Sequence, residues 1–312
     1  MLNYEEFKDK IVSDILSYLP EKYDGSEVKI VHAVKTNDHV LDGVMIRRSN
    51  CNIAPNIYLN AFYEEYREGS TIDSILTKIA EIRMSHDVNG TVDAEKFMSY
   101  ENIKDHIYMS VINYECNRKL LEDRPHRRFL DLAITYYVHI SECSFMDNVS
   151  DGRLVMNMTH DLMEEYSLTE EELYEIAKRN TGKRKNIRLT PLEEELKKRG
   201  SGILVDDPFG KVALILTNPD SMRGAALIVC ENVLRDLSKR FDSGIFVFPL
   251  SVDEVIIVPE YEISLGNIMN MDPDEFGPFS DHDESYLSNR VYYYTEDVGK
   301  LSIVNSSKEI KV

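Results

Sequence analysis

NIYLNAFYEEY (Asn56–Tyr66), LVMNMTHDLMEEY (Leu154–Tyr166) and AALIVCENVLRDL (Ala225–Leu237) decide how this chain is read. Each opens on a β-prone apolar run and passes through a short polar step into a stretch of helical periodicity. Each is preceded, across a loop, by another strand-like run: Val44–Arg47, Ile134–Ile140 and Val212–Thr217. The pattern predicts three divergent strand–loop–strand–helix units. Strands alternating with helices place the chain in the α/β (α+β) class. Several strand-to-strand steps are short enough for hairpins, which predicts a mixed, largely antiparallel sheet with helices packed on it.

Outward from those stretches, residues 4–19 predict an amphipathic helix, with Phe7, Ile11, Ile15 and Leu19 on one face and Pro20 ending it. Val28–Val34 and Val40–Arg47 predict two strands about a turn at Thr36, Asn37 and Asp38. A helix over 60–68 is followed by a second after Ser70, with Asp73 completing a capping box and Ile72, Ile75, Leu76, Ile79 and Ile82 forming its apolar stripe. Residues 85–105 are polar and mark a boundary. Beyond it the reading gives a strand over Ile107–Ile112, an apolar run over Phe129–Ile140, and helices over 160–166 and 170–179. Thr169 with Glu172 caps the second of these helices. A short helix starts after Thr190–Pro191, a hairpin joins Ile245–Leu250 to Val255–Val258, and a last strand covers Val291–Tyr294. The three units divide the chain at 1–100, 101–200 and 201–312.

Composition narrows the function. A chain of 312 residues with 43% hydrophobic and 29% charged residues can bury a full core. Its apolar runs fall short of the ~18–20 residues that cross a membrane. MLNYEEFKDK, at the start, lacks the basic and apolar regions of a signal peptide. Cys51, Cys116, Cys143 and Cys230 are widely spaced with no CxxC pair, which argues against a disulfide framework and a zinc site and for a reducing cytoplasm. The formal charge of −19 argues against nucleic acid and anionic membranes as partners. GxSxG, HExxH, GxxxxGK[ST] and GxGxxG are absent, so no cofactor and no metal is expected.

Charge is unevenly spread. Phe241–Asn289 holds no Lys or Arg but eleven acids, among them Asp272, Asp274, Glu275, Asp281, Asp283 and Glu284. An EF-hand register is missing there, so these residues predict a surface for a basic protein partner. His126, flanked by Arg124, Arg127 and Arg128, is the most site-like polar group. Arginine grips carboxylate or phosphate, histidine moves protons near neutrality, and Asp131 is placed to orient either. Lys178–Arg188 is a basic cluster without interleaved aromatics, and its first members suit a helix C-terminus. His139 and Cys143 stand four apart, but a Cys–His nucleophile needs spatial contact that spacing does not give.

Several strings then carry a family likeness: NIAPNIYL (Asn52–Leu59), PHRRFLDLA (Pro125–Ala133), LTNPDSMRGAA (Leu216–Ala226), FVFPLSVDEVIIVP (Phe246–Pro259) and SNRVYYY (Ser288–Tyr294). In kind and order they resemble a bacterial domain family of unknown function, number 5688, and the later two-thirds resemble, more distantly, family number 1444. The resemblance implies a cytoplasmic bacterial protein and brings no activity and no catalytic residues. The sequence therefore favours a non-enzymatic protein-interaction module using its acidic C-terminal surface. Its alternatives are an enzyme or small-molecule binder at His126 and Arg127, and a nucleic-acid-associated protein acting through the 178–188 cluster.

Overall fold

A reciprocal capping box starts the first helix. The Asn3 side chain accepts the Glu6 N–H at 3.0 Å, and the Glu6 carboxylate accepts the Asn3 N–H at 2.9 Å. In this computed structural model the described residues are 1–51, 54–86, 99–140, 155–198, 212–249, 251–263, 266, 268 and 284–304. They form two compact units.

The first unit comprises Met1–Lys35, His39–Asn102 and Ile140–Leu154. Helix α1 (Tyr4–Asp14) tightens into a 3₁₀ turn over Ile15–Tyr18, so the α-helix is shorter than the sequence predicts. Pro20 is the reason: its ring excludes helical backbone at the residue before it, and Leu19 is extended at φ −106°, ψ 151°. Strands β1 (Glu27–Val34), β2 (Val40–Arg47) and β3 (Asn56–Tyr58) form an antiparallel sheet in that order. Helices α2 (Asn60–Arg67) and α3 (Ile72–Ser85) follow. Thr71, not Ser70, caps α3 by accepting the Ser74 N–H at 3.2 Å. Phe7, Ile11, Val44, Ile46, Ile75 and Ile79 are fully buried together and tie the helices to the sheet.

The second unit comprises Thr36–Asp38, Ile103–His139 and Val155–Val312. Past a short helix, α4 (Tyr100–Ile103), come β4 (Ile107–Asn113), α5 (Arg118–Leu121), β5 (Arg127–Phe129), β6 (Leu132–His139) and β7 (Val155–Asn157). Strand β6 is buried along its whole length. It pairs with β4 on one edge, and with β5 and β7 in succession along the other. Helices α6 (His160–Glu165) and α7 (Glu170–Thr181) follow. Thr169 and Glu172 make the expected capping box on α7. The strand–helix–capped-helix succession of residues 56–85 thus recurs over 155–181.

The rest is a six-stranded sheet in the order β13 (Ser302–Ile303), β12 (Tyr292–Tyr294), β10 (Ile245–Pro249), β11 (Val255–Pro259), β9 (Leu214–Thr217), β8 (Arg188–Pro191). Helices α8 (Leu192–Lys198) and α9 (Glu231–Phe241) accompany it. Every pairing among the described strands is antiparallel. The fold is α+β, and no helix among the described residues is long and apolar enough to cross a membrane.

One expected strand is absent. Residues Gly224–Val229, the opening of AALIVC, form a buried 3₁₀ helix. A short apolar run has no periodicity to separate strand from buried helix. Here Gly224 and two alanines allow backbone to press on backbone. A Cβ on Gly224 would run into the Thr217 hydroxyl, the Asp253 carbonyl and the Asn218 N–H.

Candidate functional site

The three residues singled out around His126 each have a different partner. His126 is half-buried, and its Nδ1 donates to the Arg124 carbonyl at 2.8 Å, which fixes the ring by its own backbone. Arg127 pairs with Glu170 and Glu171, both at 2.6 Å, and stacks 4.0 Å from the Tyr174 ring centroid. The bond to Glu170, ahead of the one to Glu171, outweighs burial and holds Arg127 more firmly charged than a free guanidinium. Glu170 also accepts from Tyr136 at 2.5 Å, and burial followed by that carboxylate pushes the phenol up. Asp131 turns to different partners, accepting from Ser288 Oγ at 2.6 Å and Tyr292 OH at 2.9 Å. The structure thus gives Arg127 and Asp131 structural partners and does not gather the trio about one point.

Of the acidic residues, Asp272, Asp274, Glu275, Asp281 and Asp283 lie outside the described residues, and Glu284 is exposed. Cys143 also lies outside them. In the basic cluster, Lys178 approaches Glu231 at 3.8 Å and the Tyr174 ring at 5.4 Å, while Lys185 is exposed. Among the described residues no group of three His, Cys, Asp or Glu side chains could hold a metal, and no disulfide joins Cys51, Cys116 and Cys230. A cleft of about 380 Å³ lined by Ile187, Leu189, Val233 and Leu237, with Asp236 and Arg240, is mainly aliphatic.

A different cluster forms on the opposite face of the β4–β6–β7 sheet. Residues alternate across a strand, so Tyr137 and His139 share one face of β6 while Tyr136 takes the other with Glu170. Register sets Tyr108 of β4 and Asn157 of β7 opposite Tyr137. Tyr108 packs 5.9 Å from the Tyr137 ring and edge-on, 6.4 Å, to His139. Arg223 reaches this face from the loop after β9. Its guanidinium lies 4.6 Å from the Tyr137 centroid and donates to Asn157 Oδ1 at 2.9 Å. Asp220, on the same loop, stands 3.8 Å from His139 Nε2.

The loop is built to aim Arg223. Asn218 closes on Met222 twice, donating to its carbonyl at 2.6 Å and accepting its N–H at 3.1 Å. Ser221 and Arg223 are left-handed, at φ 52° and 57°, a conformation unfavourable for side chains of their type. The Arg223 N–H is held by Asp253 Oδ1 at 2.6 Å, and Thr217 Oγ1 donates to the Asp253 carbonyl at 2.6 Å. Backbone strain enforced by this many partners is a mark of functional loops.

Arg124 joins from the loop before β5. The neighbouring Asp123 carbonyl accepts the His160 N–H at 3.1 Å, which pins that loop beside the end of β7 that carries Asn157. Burial lowers the Arg124 pKa to about 10, helped by the positive charge of Arg223 and opposed by Asp123. Burial also lowers Arg223, against the pull of Tyr137 and Asp253. Neither guanidinium has a carboxylate within ion-pair distance among the described residues, and the Arg124 side chain makes no hydrogen bond there. In the sequence Arg124 stands out only as a neighbour of His126, and Arg223 only inside LTNPDSMRGAA. The loop's turn residues are a signal, but the contacts of Arg223 with Asn157 and Tyr137 depend on strand register.

The model of DUF5688, a family of unknown function, matches residues 4–296 of the chain. No curated protein and no solved structure matches.

Proposed function

Because the chain belongs to the DUF5688 family, whose function is unknown, we propose from its own chemistry that the second unit is a binding module for a small anion, with Arg124 and Arg223 as the binding residues. The observation that carries this is the Arg223 guanidinium, held on Asn157 and the Tyr137 ring with no carboxylate at ion-pair distance among the described residues, with the charge of Arg124 near enough to be felt. Partly sunk like charges repel, and a counter-charge relieves both at once. Asn157 and Tyr137 hold Arg223 by one N–H and one ring face, so its other N–H groups remain donors. The test is calorimetric titration with phosphate and with citrate at low ionic strength, on the parent chain and on Arg124→Met and Arg223→Met. Saturable binding that weakens with salt and is lost in both variants supports the reading. No binding of either anion, or undiminished binding in both variants, overturns it.

A second reading, a protein-interaction surface on the acidic C-terminal segment, is supported by the run of eleven acids without a basic residue over Phe241–Asn289. It expects that Asp272→Asn, Asp274→Asn, Asp281→Asn and Asp283→Asn combined spare the thermal transition and abolish binding to a basic protein. Unchanged binding would remove it. A cytoplasmic setting suits either reading, given that no disulfide joins Cys51, Cys116 and Cys230.

A further inference from the structure

We propose that the cleft between β8 and α9 binds an aliphatic α-amino acid as its zwitterion. The proposal does not rest on the anion-binding reading, whose residues lie outside this cleft.

The aliphatic floor comes first. Ile187 and Leu189 stand two apart where the chain enters β8, the spacing of one strand face, and Val233 and Leu237 stand one turn apart on α9. Among the described residues β8 is the outermost strand of the six-stranded sheet and pairs with β9 alone. Val233 and Leu237 are buried, whereas Ile187 and Leu189 are only half-buried. Four branched side chains thus face about 380 Å³ of open space, inside the range of about 300–1,000 Å³ that small-molecule sites occupy. A hydrocarbon group placed there would take Ile187 and Leu189 further out of water.

Charge selects the rest of the ligand. Asp236 and Arg240 line the same cleft, each three residues beyond one of the helix's two aliphatic members, so both stand beside the floor. On this helix Glu231 approaches Lys178 at 3.8 Å and Lys239 approaches Glu296 at 3.1 Å. Neither Asp236 nor Arg240 has an ion-pair partner among the described residues. A spacing of four allows them to pair with each other, yet the two groups stand apart. A molecule between them meets both signs. A monocarboxylate would satisfy Arg240 and be repelled by Asp236, and an amine would do the reverse. A zwitterion satisfies both. The guanidinium fork takes its two carboxylate oxygens, and the Asp236 carboxylate accepts from its ammonium. Helical side chains lean toward the N-terminus, so Arg240 is aimed back toward the turn that carries Asp236. Both charged groups of the ligand can then sit on one carbon, the α-carbon of an amino acid whose side chain enters the cleft.

The experiment is calorimetric titration of the full chain with L-leucine, L-alanine, isocaproate (leucine without its ammonium) and isopentylamine (leucine without its carboxylate). L-Leucine should bind saturably and about tenfold tighter than L-alanine, since each carbon lost from an apolar contact weakens binding about two- to fourfold. Isocaproate and isopentylamine should each bind about fivefold more weakly than leucine, and leucine should weaken by a similar factor on Arg240→Gln and on Asp236→Asn. Both substitutions change exposed side chains without an ion-pair partner among the described residues, so the thermal midpoint should hold. Methyl resonances of Ile187, Leu189, Val233 and Leu237 should shift with leucine, while those of Ile11 and Ile75 in the first unit should not.

Isocaproate or isopentylamine binding as tightly as leucine, or leucine affinity indifferent to both substitutions, would overturn the zwitterion. Alanine binding as tightly as leucine would overturn the aliphatic side chain. No saturable binding of leucine, or methyl shifts confined to residues outside the cleft, would overturn the site itself.

Discussion

Gly224→Ala tests whether the loop that aims Arg223 is as tightly built as its bonds suggest. A Cβ there meets the Asp253 carbonyl at 2.6 Å and the Asn218 N at 2.7 Å, both backbone atoms, and clashes harder with Thr217 Oγ1. The threonine hydroxyl is the one neighbour able to rotate, but its residue is 1% exposed and it is bonded to the Asp253 carbonyl at 2.6 Å. Overpacking against rigid backbone costs about 1–3 kcal/mol and occasionally more, and the displaced hydrogen bond adds about 1 kcal/mol. The sum is about 3 kcal/mol, or about 10 °C in the midpoint for a unit of this size. Thermal unfolding by circular dichroism reads it directly. Gly182→Ala is the control: its Cβ would find Asn232 Oδ1 at 3.2 Å, and Cys230 Sγ and the Lys178 carbonyl both at 3.3 Å, contacts that ease with shifts of a few tenths of an ångström. A Gly224→Ala midpoint no lower than that of Gly182→Ala would refute the argument that backbone contact, not side-chain packing, sets this loop.

Arg127→Met should cost about 2 kcal/mol in urea unfolding with an unchanged slope, since it strips Glu170 of its cation and leaves only Tyr136 on that carboxylate; an unaltered midpoint would mean the ion pair contributes nothing. In the first unit, burial favours neutral Asp42, but hydrogen bonds from Lys8 and His32 prevail and hold its pKa down. Its stabilising contribution is therefore present at neutral pH and lost as pH falls below about 4 through the folded-state value. Asp42→Asn should lose about 2–3 kcal/mol at pH 7, with the gap from the parent closing in acid; a gap independent of pH would sink this account. Burial pushes the Cys230 thiol up to about 12, so at pH 8 alkylation mapped by mass spectrometry should modify Cys116 well before Cys230. Labelling of Cys230 at the rate of Cys116 in folded protein would contradict that.

The elements legible in the sequence are those fixed by local rules. Thr169 and Glu172 announce α7, and the β10–β11 hairpin follows from apolar runs about Ser251–Glu254. Residues 225–229 form a 3₁₀ turn where the sequence predicts a strand, because an apolar run is equally at home in either and only the fit of Gly224 against Asp253 decides it. The site is legible in pieces. Arg223 stands in a turn-rich motif, but its contact with Asn157 depends on Asn157 pairing with Tyr137 across β6. The prominence of Arg127 came from its neighbours in the chain, whereas Glu170 and Tyr174, which occupy it, arrive from α7.

The bonds from Ser288 and Tyr292 to Asp131 carry a consequence in time. They span sequence separations of 157 and 161 residues. At ~5–20 residues per second of synthesis, the Asp131 carboxylate waits roughly 10–30 s on the ribosome before its partners exist. During that interval the β5–β6 hairpin has β4 beside it and the Tyr114 N–H on the Asp131 carbonyl, while the Asp131 carboxylate still lacks Ser288 and Tyr292. The step that satisfies this carboxylate therefore belongs to a stretch of chain made long after the hairpin, and a ribosome paused ahead of Ser288 would display the hairpin to the cell's chaperones.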